Sequence, residues 1–259
     1  MVSVVMLTYK RADMLPQAIE SILAQTYKDF EFIILNDGSP DNTDEVIAKY
    51  KDPRIRYYKN AENKGIAFSR NRAASLARGK YIMIMDDDDT SLPERMQKQV
   101  EYLETHPETT AVAGQITALP RIPASHNDIV AGLIQYNNFG NANIMYRRNF
   151  AVKNNLRYNE RLQASEDWEF WLKMLFVGAK FAAVPEDVLL RNSASKKHYG
   201  MSYEDANAPI RQMVGSYFSP TDPVAFYAAN ACGKLNLIAS KHIVSEDYLQ
   251  ALLQANNCF

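Results

Sequence analysis

Cysteine is nearly missing from these 259 residues: only Cys232 and Cys258 occur, both near the carboxyl end and not at a metal-ligand spacing. They support no disulfide framework and no thiolate metal site, and a reducing, cytoplasmic setting is the expectation. An excess of either charge is also missing, with 29 basic residues against 30 acidic ones and a net charge of -1. That balance argues against a nucleic acid partner held by phosphate neutralisation. No apolar run reaches the roughly 18 residues needed to span a bilayer. The apolar start is broken at Lys10 and Arg11 without the layout of a signal peptide. A soluble chain, or one resting peripherally on the inner face of a membrane, is expected. There are ten glycines, and neither a G-x-x-x-x-G-K-S loop nor a G-x-G-x-x-G fingerprint, so a phosphate would have to be recognised by other means. Internal repeats and low-complexity segments are absent.

What is present is an ordinary globular composition, 47% hydrophobic and 23% charged, with ample length for a sizeable core. One stretch stands out. Tyr81-Ile82-Met83-Ile84-Met85, bounded by Gly79, reads as a buried strand of a parallel sheet, and Asp86-Asp87-Asp88-Asp89 follows without a break. Four adjacent carboxylates repel one another unless water solvates them or a cation neutralises them. Oxygen-rich sites suit Mg²⁺ or Mn²⁺. A solvated turn or a helix cap would use aspartates as well, and Leu92-Pro93-Glu94-Arg95 does resemble the start of a helix.

The rest of the first half alternates strand and helix. Val2 to Leu7 is an apolar strand ending in Thr8-Tyr9-Lys10-Arg11, and Leu15, Ala18, Ile19, Ile22 and Leu23 carry a helical stripe between Asp13, the expected cap, and Gln25. Phe30 to Leu35 is a second strand, followed by the turn signal Asn36-Asp37-Gly38-Ser39 and a helix from Thr43. Arg54 to Lys59 and Ile66 to Ala77 supply the third strand and helix. This order predicts a parallel α/β sheet, with Thr8-Tyr9, Asp37-Gly38 and the aspartates along one edge, where open sheets of this kind bind ligands. Tyr9 could stack on a base, Asp37 could accept a base N–H, and the aspartates could hold a diphosphate through a shared cation.

Further on, Ala111 to Gly114 reads as a fifth strand or its remnant, 120–143 as an irregular acceptor-facing loop, and Asn141 to Arg147 as strand again. Ser165 is the expected cap of a helix carrying Glu166, Asp167, Trp168 and Trp171. A strand is expected near Phe181 to Val184. Helices are expected from Ala225 to Leu237 and Asp247 to Leu253.

Val2 to Tyr9, Ser21 to Tyr27, Asn36-Asp37-Gly38-Ser39, Asn63-Lys64-Gly65-Ile66-Ala67-Phe68-Ser69-Arg70-Asn71 and the aspartates followed by Leu92-Pro93-Glu94-Arg95-Met96 together resemble the family 2 glycosyltransferases of GT-A fold. The resemblance covers roughly 1–195. It departs at Leu7, where many members have Pro, at Lys10, where many have Asn, and at Asn36, where Asp is usual.

The resemblance implies a GT-A type, Rossmann-like mixed sheet flanked by helices. A glycosyltransferase domain over 1–203 would divide into a nucleotide-binding half, 1–115, and an acceptor-binding half, 116–203, with a helical extension over 204–259. It implies an inverting hexosyl- or N-acetylhexosaminyltransferase that uses Mn²⁺ or Mg²⁺, a UDP-sugar donor and a glycan or lipid-linked acceptor, in the synthesis of bacterial surface polysaccharide or lipooligosaccharide.

Residue by residue, it assigns Thr8, Tyr9, Arg11, Asp37, Asn63, Gly65 and Arg70 to the nucleotide, with Asp86 and Asp87 beside them. Asp88 is the implied direct metal ligand, in a D-x-D motif with Asp86. His198 is a further candidate ligand, although the usual Arg-x-His spacing is not reproduced after Arg191, and Lys196 and Lys197 are alternatives for the phosphates. Glu166 and Asp167 match the pair that supplies the catalytic base, Asp167 being that base. The tail would pack on the core, form a dimer contact or rest against a membrane. Asp86 to Thr90 also fits the D-x-D-x-T string of dehalogenase-type phosphatases, but that string follows a first strand, whereas here three strand–helix units come before it. A nucleotide-sugar binder without turnover is the third alternative.

Overall fold

The computed structural model describes residues 1–192 and 207–211. Eight strands form one sheet: β1 (Val2–Thr8), β2 (Phe30–Asn36), β3 (Ile55–Lys59), β4 (Tyr81–Asp86), β5 (Thr90–Ser91), β6 (Ala111–Ile116), β7 (Ile144–Arg147) and β8 (Phe181–Leu190). Their spatial order is β3-β2-β1-β4-β7-β6-β8-β5. The first four run parallel. β7 is antiparallel to both β4 and β6, β8 is parallel to β6, and β5 is antiparallel to β8. The result is a mixed sheet flanked by helices, as the sequence implies.

The pleat sorts the core into two layers. Val2, Val4 and Met6 face one side with Phe32 and Ile34, against α1 (Leu15–Leu23), α2 (Thr43–Ala48) and α4 (Arg95–Thr105). Val5, Ile33, Leu35, Ile82 and Ile84 face the other, against α3 (Ile66–Leu76), α5 (His126–Gln135), α6 (Arg148–Lys153) and α7 (Glu166–Phe176). With helices on both faces, the central strands can be apolar along their whole length. Among the described residues no helix is long and apolar enough to cross a membrane.

Four local expectations change. Asp13 does not cap α1, whose N-cap is Met14 with no side-chain bond and with a proline in the first turn. The stretch 120–143 contains α5, capped by Ser125, whose Oγ accepts from Asp128 N at 3.2 Å. β8 continues six residues past Val184 because the register against β6 shifts at Gln115, so Pro185, which has no N–H to give, is accommodated at the irregularity. Ser165 is the N-cap residue of α7, as expected, but it sits in the left-handed region at φ 59° without a side-chain cap bond; its hydroxyl donates instead to Asn207 Oδ1 at 2.6 Å. The helices expected beyond residue 212, and His198 with Lys196 and Lys197, lie outside the described residues.

Candidate active site

The parallel strands end in register. Thr8 pairs with Asn36 across β1 and β2, and Leu7 pairs with Asp86 across β1 and β4. The residues that follow, Tyr9, Asp37 and the aspartates, therefore leave the sheet along one edge. Asp37 binds the loops there: its Oδ1 accepts from Asn60 Nδ2 at 2.6 Å and Lys64 N at 3.0 Å, and its Oδ2 from Gly65 N at 3.0 Å. Gly38, at φ +71°, lies so close to the 62–63 backbone that a Cβ would come within 2.5 Å of the Glu62 carbonyl carbon. The turn after β2 and the loop before α3 are thus locked together, with Asn63 exposed beside them and Tyr9 37% exposed on the rim.

At the end of β4, one carboxylate oxygen from each of Asp86, Asp88 and Asp89 lies within 4.8 Å of the others. Burial pushes Asp86 upward, with Asp88 and Asp167 adding to the shift against the pull of Arg70. Burial also pushes Asp89 up to about 7, and Asp87 up to about 7 against the pull of Arg11. Burial and crowding thus make the negative charge of these carboxylates costly unless a cation offsets it. The Thr8 hydroxyl faces Asp87 closely enough to lower its proton affinity, yet Thr8 Oγ1 and Asp87 Oδ2 do not meet as a well-formed hydrogen bond.

Asn141 Nδ2 reaches Asp86 Oδ1 at 3.4 Å, while its own Oδ1 is buried without a partner. An all-oxygen donor set, compressed charge and orphaned buried oxygens fit a hard divalent ion such as Mg²⁺ or Mn²⁺. Two arginines balance part of the charge. Arg11 Nη1 lies 2.9 Å from Asp87 Oδ1 and 2.7 Å from Asp88 Oδ2. Arg95 is wholly buried behind the cluster, donates to the Ile84 carbonyl at 2.7 Å, and is lowered to about 9 by burial against the opposing influence of Asp89 and Asp86.

The second acidic centre faces the same edge. Arg70 of α3 and Glu166, the first residue of α7, form a buried ion pair. The Arg70 guanidinium also stands 5.3 Å from the centre of the Tyr158 ring. Burial works to lower the Arg70 pKa, but Glu166, Tyr158, Asp167 and Asp86 together hold it above the usual value. Glu166 itself is raised, by burial first and by Asp167, against Arg70. Arg70 thus sits within electrostatic reach of both acidic centres. Asp167 is half-buried, and its Oδ1 accepts from Trp168 N at 2.7 Å. The two tryptophans that follow are core residues, 1% and 0% exposed. Trp168 Nε1 donates to Leu133 O at 2.7 Å and Trp171 Nε1 to Gly140 O at 2.8 Å, fastening α7 to α5 and to the loop before β7.

Of the residues singled out in the sequence, Thr8, Arg11, Asp86, Asp87 and Asp88 share one cluster, with Tyr9, Asp37, Asn63 and Gly65 on the adjoining loops. Arg70 turns inward to Glu166, and Asp167 lies beside that pair. Sequence reasoning missed Asp89, which enters the metal-sized cluster and accepts from Asn192 N at 3.0 Å. It also missed Asn141 and Arg95. A tetrad of aspartates offered no way to choose among its members, whereas four asparagines within 137–143 were a usable sign of buried polar structure.

The family model described as "Glycosyl transferase family 2" matches residues 3–177. An uncharacterised glycosyltransferase of Methanocaldococcus jannaschii is 34% identical over 212 residues, covering 77% of this chain and 73% of its own. The Escherichia coli protein WfaP, named a UDP-Glc:alpha-D-GlcNAc-diphosphoundecaprenol beta-1,3-glucosyltransferase, is 30% identical over 187 residues, covering 70% of this chain and 72% of its own. Among solved structures, Staphylococcus aureus TarS 1-349 in complex with UDP-GlcNAc superposes with a TM-score of 0.70 at 18% identity, over 84% of this chain and 66% of that one. The likeness to TarS is one of fold.

Proposed function

The chain belongs to glycosyl transferase family 2, and on that premise we propose that it transfers a sugar from a UDP-sugar to a hydroxyl of a glycan or lipid-linked glycan, inverting the anomeric centre. The observation that carries the reading is the buried Arg70–Glu166 ion pair, which fixes the first turn of α7, and with it Asp167, within electrostatic reach of the aspartate cluster. A donor diphosphate and an attacking hydroxyl need such a pair of acidic centres within one cleft. The E. coli relative's name and the ligand of the TarS complex both support a UDP-linked donor.

Tyr9 offers its exposed ring to the uracil, and Asp37, with the loop it organises from Asn63 to Gly65, lines the base pocket. Thr8 and Asp87 face the ribose. Asp86, Asp88 and Asp89 would hold Mn²⁺ or Mg²⁺, with Asn141 beside Asp86. When bound, the ion offsets the negative charge that grows on the departing diphosphate. Asp167 takes the proton from the acceptor hydroxyl as that oxygen attacks the anomeric carbon. Glu166, buried against Arg70, anchors α7 instead of accepting the proton.

Screening UDP-sugars for Mn²⁺-dependent release of UDP, with and without glycan acceptors, tests the reading. Release that needs the ion and rises with an acceptor supports it. Release that survives EDTA counts against the metal role of Asp88, and tight UDP-sugar binding without any turnover supports a binding protein. Inorganic phosphate release through a phosphorylated Asp86 would point to a phosphatase.

A further inference from the structure

Arg11 lies in the loop after β1, and a single guanidinium nitrogen is shared by Asp87 and Asp88, at 2.9 and 2.7 Å. The Arg11 side chain is 32% exposed, whereas Asp87 and Asp88 are 6% and 13% exposed, so of the three it is the one that borders solvent. Asp88 belongs to the three aspartates whose oxygens gather within 4.8 Å. A divalent ion drawn to those oxygens would therefore meet a like charge already bonded to one of its ligands. Two cations in that space repel each other, and the singly charged one at the solvent side is the one displaced.

We propose that Arg11 is an exchangeable counter-cation: it holds Asp87 and Asp88 when no ion is bound, leaves Asp88 when a divalent ion enters, and then turns its guanidinium to the nucleotide diphosphate. This rests on the UDP-sugar reading above and extends it to the order and coupling of binding. A guanidinium is suited to the second half of the exchange, because its planar fork pairs with phosphate oxygens through two parallel hydrogen bonds. It also makes the two ligands interdependent. Each helps the other bind, and the coupling is reciprocal: whatever factor UDP adds to Mn²⁺ affinity, Mn²⁺ adds to UDP affinity. Arg95 cannot make this exchange, being wholly enclosed and committed to the Ile84 carbonyl.

The test is Mn²⁺ binding to the full chain at pH 7.5, followed by calorimetry and by the electron paramagnetic resonance of free Mn²⁺, with and without UDP. In Arg11→Gln, Mn²⁺ alone should bind about tenfold more tightly than to the unaltered protein, and the factor by which UDP strengthens Mn²⁺ binding should shrink by about tenfold, each tenfold being worth about 1.4 kcal/mol. Arg11→Lys retains a charge without the fork. It should hold Mn²⁺ affinity near the unaltered value while still losing most of the coupling to UDP. Thermal unfolding confirms that each variant is folded.

Unchanged or weaker Mn²⁺ binding in Arg11→Gln, or full coupling in both variants, overturns the exchange. If the unaltered protein binds Mn²⁺ but not UDP, the UDP-sugar reading fails, and the Mn²⁺ arm alone still decides whether Arg11 competes with the ion.

Discussion

Arg70 and Glu166, 96 positions apart in the chain, form an ion pair with both side chains less than a tenth exposed. The pair ties α3, which follows the loop held by Asp37, to the first turn of α7, which carries Asp167. A charge pair in such surroundings has lost most of its hydration, so each partner depends on the other. Glu166→Gln should therefore cost about 3 kcal/mol of unfolding free energy, read as a lower midpoint in urea with an unchanged slope. Replacing both residues by apolar ones of similar size should recover a large part of that loss.

The neighbour of Glu166 should behave differently. Asp167→Asn keeps the size and is expected to leave stability within about 0.5 kcal/mol. Transfer should fall by about 10²- to 10⁴-fold, the usual range for removing a general base. UDP binding should stay at its original strength, since Asp167 serves the acceptor side. Steady-state kinetics beside UDP calorimetry checks both halves.

The turn after β2 offers a backbone test. Gly38→Ala would set a Cβ within 2.5 Å of the Glu62 carbonyl carbon at a φ of +71°. More than about 1 kcal/mol of destabilisation is expected from the strained conformation alone. UDP binding should weaken with it, because the displaced 62–65 loop supplies the amides that hold Asp37. Urea denaturation and UDP titration report the two effects.

Stability toward acid should depend on His126. Its Nδ1 accepts from Phe181 N at 3.2 Å, so the ring must stay neutral there, and burial, aided by Lys180, lowers its pKa to about 4. In the unfolded chain the value is near 6.5. Between these limits the unfolded state binds more protons, so this contribution is fully present above about pH 6.5 and is lost as pH falls toward 4. His126→Gln removes the titration. The difference between the two proteins' unfolding free energies should change by about 1 to 2 kcal/mol across that window, after allowance for partial exposure. A flat difference would show that His126 does not titrate with folding.

Much of this was legible in the sequence, for reasons that can be named. β1, β2 and β4 are largely apolar, interrupted only by Ser3 and Glu31, because helices cover both faces of the sheet, and their ends are marked by Thr8, Asn36 and Asp86, where polar residues suddenly begin. α5 was missed because its polar first turn, Ser125 to Asp128, hides an apolar face made by Ile129, Val130 and Leu133. For Arg70 and Trp168, helical spacing gives a face but not what lies opposite; only the packed structure sets Arg70 against Glu166 and the Trp168 indole against Leu133. Neighbours as far apart as Asn141 and Asp86 could not be paired from a single sequence, since nothing local couples them.

The most direct measurement is a crystal of the protein soaked with UDP and Mn²⁺, with the ion located by its anomalous scattering. The account predicts one strong peak bonded to Asp88 and the UDP diphosphate, with Asp86 and Asp89 around it, Arg11 withdrawn from Asp88, and Asp167 facing the same cleft. A peak away from these aspartates, or a nucleotide bound where Asp167 cannot face its diphosphate end, would contradict it.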